Sequence, residues 1–473
     1  MLKRFTQEEE IKNILSEVHA NNPKMYELLM EKIEFSKYLR FKKATKQSIR
    51  KILAMGIKEY LRNLLSKKDT ISKINNPSNK KKILFVTGVP SLNLVGISIY
   101  LRKTGQYETF LIGENPWQIN FFKQHFDTVY IYNSYYEVAR ILTASKPDII
   151  HIQGMPNYYF LGVLAKNLCS TATVNGFIDI PSDDPSIENP DKLSKIPANK
   201  LLDYYSEEFL FKKTEGILLV TEPSFRGNKL NHHHSSNVPI IEFPPYVCDE
   251  FFSTDEKYSQ KDGYVYLVYG GSVAPSYEPK EQNPGFQFID LAKNLVNQGL
   301  YFHMYVSPHF SPYKIKKLFP AYIQLAAKVP NFSFRQGLSI DKAIKEFSRY
   351  DFAVMINKYY DETKIITNTH WDTVIPSKFF TYLSAGLPII VGNEFVFIAS
   401  LVTKYEIGIV IKQNEIDFLA EIIKRYDYEK LKANVMQTRE ELSMKKHIGR
   451  LIDFYEQAVA TKTQFHEIMA RKV

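Results

Sequence analysis

Between residues 83 and 411 short apolar runs recur, each bounded by charge, Gly, Pro or Asn. The first, Ile83-Leu84-Phe85-Val86, follows Lys81-Lys82 and ends in Thr87-Gly88. A continuous apolar run of this length, without polar alternation, predicts a strand buried on both faces, as in a parallel sheet. Similar runs stand at 109–112, 129–132, 148–152, 172–174, 217–220 and 239–242. The pattern restarts with Tyr264-Val265-Tyr266-Leu267-Val268-Tyr269 before Gly270-Gly271-Ser272, and continues at 301–306, 332–334, 352–356, 388–391 and 408–411. Helical spacing fills several intervals, clearly at about 340–349 and 376–385. The chain ends in helical stretches near 415–425 and 428–470. Strand–helix alternation of this kind predicts open, doubly wound parallel sheets.

Residues 1–78 read differently, as helices. From Ala44 to Lys68 the apolar positions Ile49, Ile52, Leu53, Ile57, Tyr60, Leu61, Leu64 and Leu65 recur at three- and four-residue steps. Lys46, Arg50, Lys51, Lys58, Arg62, Lys67 and Lys68 occupy the other face. The polar stretch Asn75-Asn76-Pro77-Ser78-Asn79 then breaks the chain. The expected organisation is a helical basic extension over 1–78 and a first α/β domain over 79–255. A second α/β domain follows over 256–440, and a C-terminal helix over 441–473 crosses back to the first. Two such sheets would face a cleft, where a ligand would bind at the carboxyl ends of the strands.

Composition narrows the class. A chain of 473 residues with 44% hydrophobic content has material for two cores. Two cysteines, Cys169 and Cys248, cannot build a disulfide framework and fit a reducing compartment. No secretory pattern and no run of roughly 18 uncharged apolar residues is present, so a cytoplasmic protein is expected. The net charge of +10 is uneven: residues 1–82 hold 20 Lys and Arg against 9 Asp and Glu, leaving about −1 for the rest. The basic helix at 44–68 is open to three readings. It lies on an anionic membrane at the inner face, packs on the body or a partner subunit of an oligomer, or binds nucleic acid. The last is disfavoured because no recognised motif accompanies the basic face.

The most specific stretch is Ile375-Pro376-Ser377-Lys378-Phe379-Phe380-Thr381-Tyr382-Leu383-Ser384-Ala385-Gly386-Leu387-Pro388-Ile389-Ile390-Val391. It reads as a short helix with Pro in its first turn, Gly386 at the left-handed C-terminal cap, and a buried strand after it. Free N–H groups near Ser377 and Lys378 make an anion site on which a diphosphate would sit. By local physics alone, an ordinary helix–strand unit serves equally. The stretch also resembles the C-terminal-domain signature of GT-B glycosyltransferases, in the form Pro-x-Lys-hydrophobic-x-x-Tyr-Leu-x-x-Gly-x-Pro. Lys82–Tyr100 resembles that family's first strand and acceptor loop, with Gly96-Ile97-Ser98-Ile99-Tyr100 as the loop. Pro147–Gly154, Gly216–Glu222, Pro244–Phe252 and Asp341–Ile356 resemble further family segments in the right order.

The resemblance implies a GT-B fold of two Rossmann-like domains. It also implies sugar transfer from a nucleotide-sugar donor to a saccharide, lipid-linked or protein acceptor, in surface polysaccharide or glycoconjugate synthesis. Neither a metal nor a cofactor is implied, since phosphate charge in this fold is met by side chains and helix N-termini. The implied donor residues are Gly271, Ser272, Lys280, Arg335, Ser377, Lys378 and Thr381; Gly96 and Ser98 belong to the acceptor loop. Departures accompany the likeness. Thr373 and Thr381 stand where the family-4 type carries a Glu pair, Ser272 where a basic residue is usual, Pro284 where a Lys is usual, and Asn175 where a His is frequent. Lys280, Arg335 and Lys378 are the substitutes for the usual diphosphate cations, or else surface charges. Asn175, Asp179 and His151 are the candidate catalytic groups. Asp179, Asp183 and Asp184 serve equally as turn residues, and His151 equally as a core histidine. Asp361 and Asp372 flank a loop expected at the donor. His232-His233-His234 reads as an exposed loop, not a metal site. The rival reading is a catalytically silent relative that binds a sugar nucleotide or a protein partner.

Overall fold

Each apolar run expected to be a strand is one, with ends shifted by at most three residues. The computed structural model describes residues 15–38, 67–114, 119–181, 196–220, 238–275, 286–308, 310–357 and 372–470, except the side chains of 35–38 and 464–470. They divide into two units: those up to Phe243 together with those from Ile448 onward, and Pro244–His447. The boundaries differ from the expected 255 and 440. Val247 N–H bonds to the Leu442 carbonyl (3.1 Å) and Met444 N–H to the Val247 carbonyl (2.7 Å), which ties residues 244–255 to the second unit.

The first unit holds β1 (Lys81–Thr87), β2 (Tyr107–Gly113), β3 (Thr128–Ile131), β4 (Ile149–Gly154), β5 (Ala172–Phe177), β6 (Gly216–Leu219) and β7 (Ile240–Glu242). They form one parallel sheet in the order β3-β2-β1-β4-β5-β6-β7. The second unit holds β8 (Tyr266–Gly271), β9 (Tyr301–Val306), β10 (Phe332–Gln336), β11 (Phe352–Met355), β12 (Ile389–Gly392) and β13 (Gly408–Ile411). Its parallel order is β10-β9-β8-β11-β12-β13. Both sheets therefore reverse direction of winding after their first strand. This doubly wound pattern was the expected fold class, and it places a helix on each side of central strands buried on both faces. All six residues of β4 are buried.

Three expectations are corrected. The described parts of 1–78, residues 15–38 and 67–78, are not separate from the first unit. In the helix Pro23–Tyr38, Met25, Leu28, Leu29, Met30 and Ile33 are buried, and with Leu15, Val18 and Ile74 they join the hydrophobic core of the first unit. Their apolar stripe demanded a partner surface, and the helices Ala198–Lys213 and Tyr135–Ala144 supply it. Of the basic helix, 44–66 lies outside the described residues. Lys67 is buried and Lys68 exposed, so at least Lys67 does not belong to a solvated face. Finally, Gly96 and Ser98 are not in a loop: both are buried inside the helix Leu92–Lys103. The Ser98 hydroxyl is satisfied there, 2.7 Å from Thr109 Oγ1 and donating to the His125 carbonyl at 2.5 Å. The connection after β1 is shorter than expected, from Gly88 to Ser91.

The long helix Met444–Ala470 supplies the rest of the first unit's packing from residue 448 onward. Leu451, Phe454, Tyr455 and Ala458 are buried, and a Cβ on Gly216 would stand 2.8 Å from the Phe454 ring. Glu456 pairs with Lys81, and Lys462 reaches Glu215 at 3.4 Å. Among the described residues no helix is long and apolar enough to cross a membrane.

Candidate functional site

In an open parallel sheet the ligand crevice opens at the carboxyl ends of the strands, where the order reverses. In the second unit that point lies between β8 and β11, at Gly270-Gly271 and Ile356-Asn357. The helix Ser377–Ser384 leads from there into β12. Its C-terminus is set by Gly386 at φ 69°: Leu387 N–H bonds to the Tyr382 carbonyl (3.1 Å) and Gly386 N–H to the Leu383 carbonyl (2.9 Å). Phe379, Phe380, Tyr382 and Leu383 are buried, which leaves Ser377 exposed and Lys378 half-buried at the first turn.

The buried tyrosines fix the rim. Gly270 N–H donates to the Tyr382 hydroxyl at 2.9 Å. The Tyr269 hydroxyl donates to the Ser272 carbonyl at 2.6 Å. Gly270 is required here because a Cβ would stand 2.5 Å from the Phe347 ring. At Gly271, with φ 157°, a Cβ would stand 3.2 Å from the Tyr269 hydroxyl. Burial raises both tyrosines, which stay neutral. The Lys378 ammonium lies over the Tyr269 ring, 4.8 Å from its centroid. Among the described residues it has no carboxylate partner, and burial lowers it to about 8. The Ser377 and Lys378 amides have no acceptor within the helix. An ammonium and two amides without an acceptor among the described residues, at a helix N-terminus, form a place for an anion. One carboxylate stands on the same rim: Glu394, buried after β12, accepts the Asn357 N–H at 2.5 Å, close against Gly392.

The other donor candidates fall as follows. Ser272 is exposed and lends only its carbonyl to the rim. The Thr381 hydroxyl donates to the Ser377 carbonyl at 3.2 Å, and Thr373 is buried. Arg335, on β10, bonds the Tyr305 hydroxyl (3.1 Å) and lies 3.8 Å from Glu346. Glu346 also accepts from the hydroxyls of Tyr305 (2.8 Å) and Tyr258 (2.9 Å), and Tyr350 links this group to His303 Nδ1 at 2.9 Å. Arg335 is thus engaged with Tyr305 and Glu346. Asp372 is exposed. Lys280, Pro284 and Asp361 lie outside the described residues.

In the first unit the reversal lies between β1 and β4, at Thr87-Gly88 and Gln153-Gly154. His151 is engaged within the core: its Nδ1 stands 2.6 Å from the Tyr455 hydroxyl, and burial lowers it to about 3. It is a satisfied core histidine. Asn175 is fully buried beneath the helix Phe160–Leu168, where a Cβ on Gly162 would stand 2.6 Å from its Oδ1. Asp179 follows β5 and its backbone bonds the Tyr159 hydroxyl through both N–H and C=O. These three are not brought together. Instead the reversal collects Gln153, whose Nε2 donates to Ser91 Oγ at 2.7 Å, and Tyr158, whose ring covers Gly88. Asp183, Asp184 and His232–His234 lie outside the described residues. No group of His, Cys, Asp and Glu among the described residues is disposed to hold a metal.

Sequence reasoning named Lys378 through its motif but not Tyr269 or Gln153, although both stand at strand ends beside glycine. It had no signal for Glu394 or for Asp203, described below.

Residues 312–453, under a third of the chain, match the family described as Glucosyltransferase 3-like, C-terminal domain. No curated protein matches the chain. Solved structures with a similar chain path include the HepE protein of Anabaena in complex with UDP, at 14% identity and TM-score 0.49, covering 82% of this chain and 100% of that one. The N-terminal domain of Candida albicans trehalose-6-phosphate phosphatase is 10% identical, with TM-score 0.49, and covers 80% and 100%. A Thermobaculum terrenum O-GlcNAc transferase variant is 12% identical, with TM-score 0.47, and covers 85% and 74%. The chain resembles GT-B glycosyltransferases, and its residues 312–453 are similar to a glucosyltransferase C-terminal domain.

Proposed function

We propose that this protein transfers a sugar from a nucleoside-diphosphate sugar to a saccharide, lipid-linked or protein acceptor, with the donor diphosphate held at the start of the helix Ser377–Ser384. One observation carries the reading. Among the described residues, Lys378 is a half-buried ammonium without a carboxylate partner, beside two helix amides without an acceptor, within the region that matches the glucosyltransferase-like family. A diphosphate supplies the missing negative charge. Catalysis then rests on orienting the sugar and stabilising the departing diphosphate, by Lys378 and the amides, without metal or cofactor. The reaction belongs on the cytoplasmic side, where nucleotide sugars are available, with peripheral membrane contact through residues 44–68 as a further element of the proposal.

Calorimetric titration with a panel of nucleotide sugars tests this. Lys378→Ala is expected to cost about 1–3 kcal/mol of donor affinity with no loss of fold. Bound phosphate holds the ammonium charged, whereas the free side chain titrates at about 8. Donor affinity in the wild type should therefore fall about tenfold between pH 7 and 9, and the variant should lose this dependence. Equal affinities of wild type and variant remove Lys378 from the site.

A second reading, donor binding without turnover, has one observation in its favour. Neither Thr373 nor Thr381 supplies the carboxylate that the resemblance associates with the ribose, and the Thr381 hydroxyl is engaged by its own helix. Donor hydrolysis by purified protein distinguishes the two.

A further inference from the structure

The turn from Met155 to Tyr159 follows β4 at the reversal point of the first sheet, where the crevice of that unit opens. Within the turn the Tyr158 N–H bonds the Met155 carbonyl at 2.9 Å. Asn157 sits in the left-handed region at φ 73°, an uncommon place for a residue with a side chain. A second hold comes from the helix Ala198–Lys213. The Asp203 carboxylate accepts the Asn157 N–H through Oδ2 at 2.6 Å and also bonds the Tyr159 amide. Asn199 of the same helix bonds the Asn157 side chain. The turn in turn places Tyr158 with its ring on Gly88, at the end of β1, and its hydroxyl on Glu114.

Asp203 is only 6% exposed, and its Oδ1 is buried with no hydrogen-bond partner among the described residues. A buried carboxylate oxygen left without a partner opposes stability. The group that offsets its charge comes from far away in sequence. Lys32, on the helix Pro23–Tyr38, lies over the Phe160 ring at 5.7 Å, with Asp203 and then Glu114 as the opposite charges that act on it. The remaining charged neighbours, Glu207 one turn along the same helix and Asp179 after β5, face the Tyr159 phenol together with Asp203.

We propose that Asp203 is a positioning residue for the acceptor side of the reaction, holding the Met155–Tyr159 turn across the crevice of the first unit, with Lys32 of the N-terminal segment as its counter-charge. The acceptor assignment rests on the glycosyl-transfer reading; the hold on the turn does not. Burial raises Asp203 to about 7, so the hold weakens as pH falls through neutrality, because a protonated carboxyl is a poorer acceptor. Removing the Lys32 charge raises Asp203 further and moves that loosening to higher pH.

The experiment follows amide-exchange protection of Asn157–Tyr159 in the full chain from pH 5.5 to 8.5. The wild type is expected to lose protection with a midpoint near 7. In Asp203→Asn the protection should be at least tenfold lower and independent of pH; Asp203→Glu should restore part of it, and Lys32→Met should move the midpoint upward. UDP titration of the same variants, which reads the second unit, should match the wild type. Unchanged protection in Asp203→Asn, or a flat wild-type profile, overturns the proposal. Should Asp203→Asn fail to fold, the wild-type and Lys32→Met profiles decide. Absence of UDP binding in every form, with the protection pattern as expected, counts against glycosyl transfer and leaves the hold intact.

Discussion

Two buried histidines show how far burial overrides intrinsic chemistry at the level of single residues. His151 is lowered to about 3 by burial, and His303 to about 4 by burial and then by Arg335. Each is hydrogen-bonded through Nδ1 to a tyrosine hydroxyl and stays neutral in the folded protein. Unfolded histidine protonates near 6.5. Below that pH the unfolded chain binds protons that the native one refuses, so stability falls with acidification. Each histidine contributes up to about 1.4 kcal/mol per pH unit below about 6.5. Chemical denaturation between pH 7 and 4.5 should show the decline, and His151→Gln should remove one histidine's share of the slope. Lys378 obeys the same rule with the opposite use: burial makes its charge costly, and a bound anion offsets that cost.

Among the elements, the helix Ser377–Ser384 was the most legible, because each of its controls is local. Pro376 stands before its first residue, Gly386 closes it, and Pro388 prevents continuation. Gly386 needs its positive φ, while the space around an added Cβ is open to 3.4 Å. Gly386→Ala is therefore expected to destabilise by about 1 kcal/mol through backbone strain alone, read as a small drop in melting temperature. The helix Leu92–Lys103 was misread for the converse reason. The family resemblance implied a loop at Gly96 and Ser98, but burial against β2 and the helix Ile119–His125 satisfies the Ser98 hydroxyl and holds the glycine in a helix. Strand positions were recovered because apolar runs of three to six residues bounded by turns are the strand signal of an alternating α/β chain.

For the molecule as a whole, charge was a misleading guide to organisation. The N-terminal segment carries nearly the entire net charge, which suggested an independent extension. Its helices nevertheless bury Val18, Met25, Leu28, Leu29 and Ile33 in the core of the first unit. Burying side chains of this size stabilises by about 1.5–3 kcal/mol each. Deleting residues 1–38 is expected to remove roughly 5 kcal/mol or more from the first unit, seen as an earlier urea transition or an unfolded product. A truncated chain with unchanged unfolding would refute this. The same reasoning applies to the C-terminal segment, since Leu451, Phe454 and Tyr455 complete that core from the other end of the chain.

By itself the sequence determined the two doubly wound sheets, the position of nearly every strand and the helix that carries Lys378. These follow from short-range periodicity and from proline and glycine constraints, which are written within a few residues. Tertiary structure alone decided which polar side chains meet. Arg335 was drawn into the Glu346 network, His151 was turned onto Tyr455, and Asp203 was brought to Asn157 and Lys32 from positions 46 and 171 residues distant. Such meetings depend on the crossing of whole helices over a sheet, and no local spacing encodes where a buried carboxylate will find its partner.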